Sequence, residues 1–266
     1  MPVGKYRRRQ GRGRARRLVG ALFAWGVVAI VCIAVTGVWS THGADLGAIW
    51  QAFRASVGQG TPENSGDGSD DGLAQSEVTT MLRALTVRGN DEAGNIPDYD
   101  REVFGQRWAD TDRNGCDTRN DILARDLSRP TFKEGTNNCV VLSGTLAEPY
   151  QGRIVEFQRG DGTSDLVQID HVVALADAWY SGAWQWDSAT RERFANDPAN
   201  LLAVDGQTNQ DKGRASADQW LPPNRSFRCD YVTTQIRVKY AWGLSVTQAE
   251  YKTLVNVLQG CQTESS

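Results

Sequence analysis

Histidine is almost absent from this chain. The 266 residues include two, His42 and His171. A site built from several imidazoles is thereby excluded, and His171 is the one imidazole available to a folded domain for chemistry near neutral pH. Cysteine is sparse as well: there are five, and no pair approaches Cys-x-x-Cys spacing, which argues against a zinc site. Cys32 lies inside an apolar run. The other four, Cys116, Cys139, Cys229 and Cys261, are an even number that fits disulfides in an oxidising compartment. Cys116–Cys139 and Cys229–Cys261 are the favoured pairs, because each closes a short loop within one subregion. By loop-closure entropy each contributes roughly 3 kcal/mol.

Positive charge is missing where a nucleic-acid coat would need it. The formal net charge is −3, and residues 1–17 hold eight Lys and Arg and no acid. Without them the chain has 21 basic and 32 acidic residues, a balance of −11. That excludes tight, sequence-independent coating of a polyanion, so any such contact is local or metal-mediated. The chain also lacks internal repeats. Leu18 to Val38 is 21 residues without a charge, long enough to span a bilayer. The basic block before it predicts a cytoplasmic tail over residues 1–17 and export of the chain beyond the apolar run. An uncleaved transmembrane signal anchor over 18–39 is favoured over a cleaved signal peptide, since the apolar run is long and no clean cleavage site comes after it. Residues 40–75 carry little hydrophobic pattern beyond a short amphipathic stretch at 45–53, and Gly, Ser and Asp dominate 54–76, as in a flexible linker.

Pattern returns near residue 76, and one domain is expected over 76–262. Val78, Met81, Leu82 and Leu85 have helical spacing, and Ile122, Leu123 and Leu127 suggest a second helix. Arg153 to Gln158 alternates as a strand, Arg159 to Ser164 is a turn signal, and Leu166 to Val173 is a second apolar run that puts His171 at a strand end. Leu201 to Val204 predicts a short third strand. Asp187 to Asn196 is a helix stopped by Asp197-Pro198, and Leu221-Pro222-Pro223-Asn224 ends another. Tyr231 to Trp242 and Ser245 to Leu258 close the chain as helices, with Ser245 to Gln248 resembling a capping box. Trp179, Trp184, Trp186 and Trp220 read as core rather than as base-stacking platforms. Asp177 reads as a helix residue or the partner of an arginine, with an outer neighbour of a metal as the alternative.

Within this frame Asp170-His171 puts a carboxylate beside an imidazole, Asn200-Leu201-Leu202 lies about thirty residues later, and Thr208-Asn209-Gln210-Asp211-Lys212-Gly213 comes next. One Asp, one His and one Asn suffice for single-metal hydrolysis of a phosphodiester. Asp and Asn offer oxygen to a hard cation, and the His deprotonates water. With Asn114-Gly115-Cys116-Asp117-Thr118-Arg119-Asn120, Asp170 through Trp179, and Trp220-Leu221-Pro222-Pro223-Asn224, these stretches resemble the HNH, or ββα-metal, nucleases. They are most similar to exported actinobacterial members related to the nuclease part of GmrSD-type restriction enzymes.

The resemblance implies an α+β fold, a helical domain built around a ββα-metal core. It implies Asp170 and Asn209 as metal ligands, Asn209 standing where many HNH proteins have their last histidine. It implies His171 as general base, Asn200 orienting its ring through the side-chain amide, Lys212 on a phosphate, and a less defined role for Arg119. The implied cofactor is Mg²⁺, or Mn²⁺ or Ca²⁺, and the implied substrate is DNA or RNA. No obligate protein partner is expected, and the membrane is met through residues 18–39. Activity should fall below the ordinary histidine pKa, near 6.5. Two other classes compete: a non-catalytic envelope module binding a polyanion, and an anchored structural protein. The latter leaves the Asp170, His171, Asn200, Asn209 and Lys212 pattern without a purpose.

Overall fold

The computed structural model describes residues 69–89 and 96–264. The basic tail, the expected anchor at 18–39 and the linker up to residue 68 lie outside the described residues. Among the described residues no helix is long and apolar enough to cross a membrane.

Helix α1 runs over Ser69–Ala84 and packs Val78 and Leu82 into the core. Helix α2, Thr118–Asp126, starts where the Asp117 carboxylate accepts from Asn120 N at 2.8 Å, satisfying an amide the helix leaves unpaired. It ends at Leu127, whose extended backbone opens strand β1, Leu127–Phe132. Strands β2, Val141–Glu148, and β3, Arg153–Gln158, complete an antiparallel sheet in the order β1-β2-β3. Pro130 sits in the edge strand, where a missing N–H costs no ladder bond. Gly144 in β2 permits close packing: a Cβ there would meet Leu127 Cβ at 2.9 Å.

The turn expected after Gln158 does not pair β3 with the next strand. β3 pairs only with β2, while β4, Val167–His171, pairs antiparallel with β5, Leu201–Asp205, in a separate two-stranded sheet. Between β4 and β5 lie α3, Leu175–Tyr180, and α4, Ser188–Ala195, the latter capped by Asp187. Helix α5, Gly206–Lys212, comes directly after β5, and Asp205 caps it by accepting from Thr208 N at 2.9 Å. Gly206 is required for this approach, because a Cβ there would lie 2.0 Å from Asp165 O. The helix expected to end at Leu221–Asn224 is absent; residues 213–224 are turns and extended chain.

Helices α6, Arg228–Ala241, and α7, Gln248–Glu264, close the domain and are joined by the Cys229–Cys261 disulfide; Cys116–Cys139 ties α2's leading loop to the start of β2. Both pairings are those the loop lengths favoured. The cap of α7 is Thr247, which accepts from Glu250 N at 3.0 Å; Ser245 instead donates to Ser181 O. Among the described residues three apolar clusters form the core, one under α1, α6 and α7, one around Phe104, Trp179 and Phe194, and one between α2 and the two sheets. Trp179 is buried, and Trp184, Trp186 and Trp220 pack on these clusters, as core residues do. Asp177 pairs with Lys239 Nζ at 2.7 Å, and Glu250 Oε1 lies 2.5 Å from the same ammonium, all three side chains buried.

Candidate functional site

Strand β4 carries Asp170 and His171 at its end, α5 directly after β5 carries Asn209 and Lys212, Asn200 precedes β5, and Arg119 lies on α2. Side chains alternate along a strand. Val167 and Ile169 enter the cluster with Ile122 and Leu123. Gln168 and Asp170 turn the other way, toward α5, where Asn209 Nδ2 donates to Gln168 Oε1 at 3.0 Å and Lys212 Nζ donates to Asp170 Oδ1 at 2.9 Å. Asn209 and Lys212 thus share the α5 face that meets β4, as their spacing predicted. The same alternation sends His171 to the face of Val167 and Ile169, where it meets Trp108. The carboxylate and imidazole, neighbours in sequence, therefore serve opposite faces of the strand pair.

Asp170 is buried, with both oxygens engaged. Oδ2 accepts from the Tyr150 hydroxyl at 2.5 Å, and Tyr150 is fixed by edge contacts with Trp220 and Tyr231. Burial raises the Asp170 pKa; the Lys212 ammonium and the Tyr150 hydroxyl pull against that rise. The Lys212 side chain has no exposed area and donates a second bond to His171 O at 2.8 Å. It is placed against Asp170 and the strand backbone rather than at the surface where a phosphate would be met.

The His171 ring is partly buried. Its Nε2 lies 2.8 Å from Ala195 O, and its face stacks on Trp108, with centroids 6.2 Å apart and planes 10° from parallel. A carbonyl only accepts, so Nε2 carries the hydrogen and Nδ1 keeps the lone pair in the neutral ring. Burial, and then the charges of Arg101, Lys212 and Arg107, pull the pKa down to about 3, against the Ala195 bond. The ring stays neutral well below the ordinary imidazole range that the sequence implied. Asn200 holds the backbone beyond the ring rather than the ring itself: its Oδ1 accepts from Val173 N at 2.7 Å and its Nδ2 donates to Val173 O at 3.0 Å. Arg119 stands at the other end of β4, donating to Val167 O at 3.1 Å and Ser164 O at 3.3 Å. The structure brings Asp170, Lys212 and the α5 face together, sets His171 behind them, and keeps Arg119 apart.

Tyr150, Trp108 and the Ala195 carbonyl were not legible as site components. Tyr150 lies in a Glu-Pro-Tyr-Gln turn and Trp108 in a loop, without periodicity to mark either. The donors suit a hard cation in kind, since Asp170 and Asn209 both offer oxygen. In arrangement the Lys212 ammonium already neutralises Asp170, so a cation and Lys212 compete for one carboxylate. Among the described residues no group of three or more His, Cys, Asp or Glu is set to hold a metal ion.

Residues 117–257, which contain Arg119, Tyr150, Asp170, His171, Asn200, Asn209 and Lys212 but not Arg101, Arg107 or Trp108, match the family described as GmrSD restriction endonucleases, C-terminal domain. A protein of Arthroderma benhamiae named as an uncharacterized secreted protein is 38% identical over 188 residues, covering 70% of this chain and 85% of that one. No solved structure matches the chain. With more than half its length inside the family match, the chain belongs to the GmrSD restriction endonuclease C-terminal domain family, whose members are nuclease-related.

Proposed function

We propose that this chain is an extracytoplasmic endonuclease of HNH type that hydrolyses phosphodiester bonds of DNA, with RNA as the alternative substrate. In this reading β4, β5 and α5 are its ββα unit. The observation that carries the proposal is His171 itself: an imidazole at a strand end, its Nε2–H fixed on Ala195 O, its Nδ1 left as acceptor, inside a restriction-endonuclease domain family. Nδ1 takes the proton from water as the water oxygen bonds to phosphorus, and the P–O3′ bond breaks with its electrons going to the leaving oxygen. Asn200 keeps the loop after the strand in register, so that Ala195 O and the ring stay opposed. Asp170 and Asn209 are the oxygen donors that would hold Mg²⁺, Mn²⁺ or Ca²⁺. A bound cation would supply charge neutralisation at the phosphate. Arg119 acts as a support for the start of β4.

The two disulfides support an oxidising destination, as does the name of the Arthroderma benhamiae relative. Export through residues 18–39, retained as an anchor, completes the proposal. One observation favours the non-catalytic alternative, a module that binds a polyanion: both oxygens of Asp170 are already engaged. The oxidised full chain incubated with plasmid DNA, linear DNA and RNA separates the readings. Degradation with Mg²⁺ or Mn²⁺ that stops in excess chelator is expected. Equal activity in chelator contradicts the cation's role, and binding without cleavage under every condition supports the alternative.

A further inference from the structure

A strand of nucleic acid at His171 and Asp170 would need a cation that faces solvent. Lys212, the residue the sequence nominated, is enclosed against Asp170 and His171 O. The segment before α2 supplies what is missing. It is fastened around His171 at several points. Phe104 is fully buried beside Val173, Gln106 N donates to Glu192 Oε1 at 3.0 Å, and Gln106 O accepts from Asn196 Nδ2 at 3.3 Å. Asn196 is next to Ala195, whose carbonyl holds the His171 ring. Trp108 then stacks on that ring with a backbone φ of 57°, a left-handed conformation that a bulky residue adopts only where its surroundings enforce it.

Arg107 lies between these two anchors, Gln106 and Trp108, and its side chain is exposed. Arg101 opens the short 3₁₀ turn that ends in Phe104 and is half-buried. Among the described residues neither guanidinium makes an ion pair or a hydrogen bond, although the chain beyond residue 17 is strongly acidic. The nearby acids are occupied or open to solvent: Asp100 caps Glu102 N, Glu192 holds Gln106 N, and Glu102 is exposed. The two cations repel one another and both act on His171. A pair of like charges that form no ion pair, held by a strained and anchored segment that stacks on an imidazole, is a local anion site.

We infer that Arg107 and Arg101 bind backbone phosphates of the nucleic-acid strand and set it against His171. This rests on the endonuclease reading for the purpose of the contact, but its test is a binding measurement that needs no turnover. Guanidinium is the right group for the task, because its fork meets two phosphate oxygens at once. Phosphate contact carries no base information, so the pair should raise affinity for all sequences alike.

The experiment uses the oxidised full chain carrying His171→Ala to prevent cleavage, a fluorescein-labelled short DNA duplex, and anisotropy over a range of salt concentrations. Arg107→Gln should weaken binding for unrelated sequences by the same factor and reduce the slope of log K against log salt by about one; adding Arg101→Gln should reduce it by about one more. Arg107→Lys keeps the charge and should keep the slope, which separates lost phosphate contact from a disturbed loop. Unchanged affinity and slope in both Gln variants overturn the inference. If the slopes fall while the unmutated chain cleaves nothing, the anion site stands and the endonuclease reading fails. If the chain cleaves and the slopes hold, the endonuclease reading stands and the anion site fails.

Discussion

Replacing Lys212 by Met removes the ammonium that neutralises Asp170 while keeping most of the buried aliphatic stem. The contacts set the cost. Nζ is fully enclosed and makes two bonds, one to Asp170 Oδ1 at 2.9 Å and one to His171 O at 2.8 Å. Breaking a buried pair by removing one partner costs about 3–5 kcal/mol, because the other charge is left uncompensated. In a domain of this size one kcal/mol moves Tm by about 2–4 °C, so a fall of roughly 6–20 °C is expected. Acid should lessen the deficit. Burial already raises the Asp170 pKa, and losing Lys212 raises it further, so the carboxyl takes a proton in the folded state and sheds its unpaired charge as pH falls. Asp170→Asn combined with Lys212→Met removes both charges and should recover most of the loss. Mn²⁺ at a hundredfold excess over its Kd should stabilise Lys212→Met by about 2.7 kcal/mol, and the unmutated chain by less, because there the ammonium competes for Asp170. Thermal melts measured by circular dichroism read all of this. A single variant melting within about 2 °C of the parent, or a double variant no better than the single, would refute the reasoning.

Glu250 gives a second pH signature. Burial beside Asp177 lifts its carboxyl to about 7 against the pull of Lys239, since two acids share one ammonium. A raised folded-state pKa stabilises below the unfolded value and loses that contribution as pH rises through the folded one; the window here is about pH 4.5 to 7 and the size about 3 kcal/mol. Glu250→Gln should therefore gain stability relative to the parent between pH 5 and 8, and a difference independent of pH contradicts the assignment. Gly206→Ala should destabilise by several kcal/mol, because the added methyl would meet the Asp165 carbonyl at 2.0 Å; urea titration checks it, and a neutral outcome means α5 packs otherwise. Each disulfide closes a loop of 23 or 32 residues, worth about 3–4 kcal/mol. Reduction should lower Tm, and peptide mapping of the native protein should recover only the Cys116–Cys139 and Cys229–Cys261 pairs.

Local chemistry was the part of this fold that sequence exposed. The Asp197-Pro198 stop of α4, the alternation of β3, the strand ending at His171, and the α5 spacing of Asn209 and Lys212 all depend on near neighbours. Pairing did not. Pro130 and Gly144 weaken the strand signals of β1 and β2, yet each is explained by a partner far along the chain: an open sheet edge for one, the Leu127 side chain for the other. The turn after Gln158 was legible, but nothing local says that β4 then meets β5 and not β3. The capping box was misplaced by two residues, since Ser245 is drawn to Ser181 O and leaves Thr247 to the helix. At the site, adjacency in sequence hid opposition in space: Asp170 and His171 alternate, so one meets Lys212 and Tyr150 and the other meets Trp108 and Ala195. Of these partners Tyr150 and Trp108 come from segments without any pattern, which only the folded chain assembles.

The central claim is that His171 abstracts the proton, and its most direct test is turnover of His171→Ala. The oxidised full chain and the variant are compared on linear DNA at neutral pH with Mg²⁺, alongside melting curves that establish the variant is folded. A folded variant slower by about 10²–10⁴-fold is predicted. A folded variant with near-parental turnover contradicts the account, because His42 is the one other histidine in the chain and lies outside the matched domain.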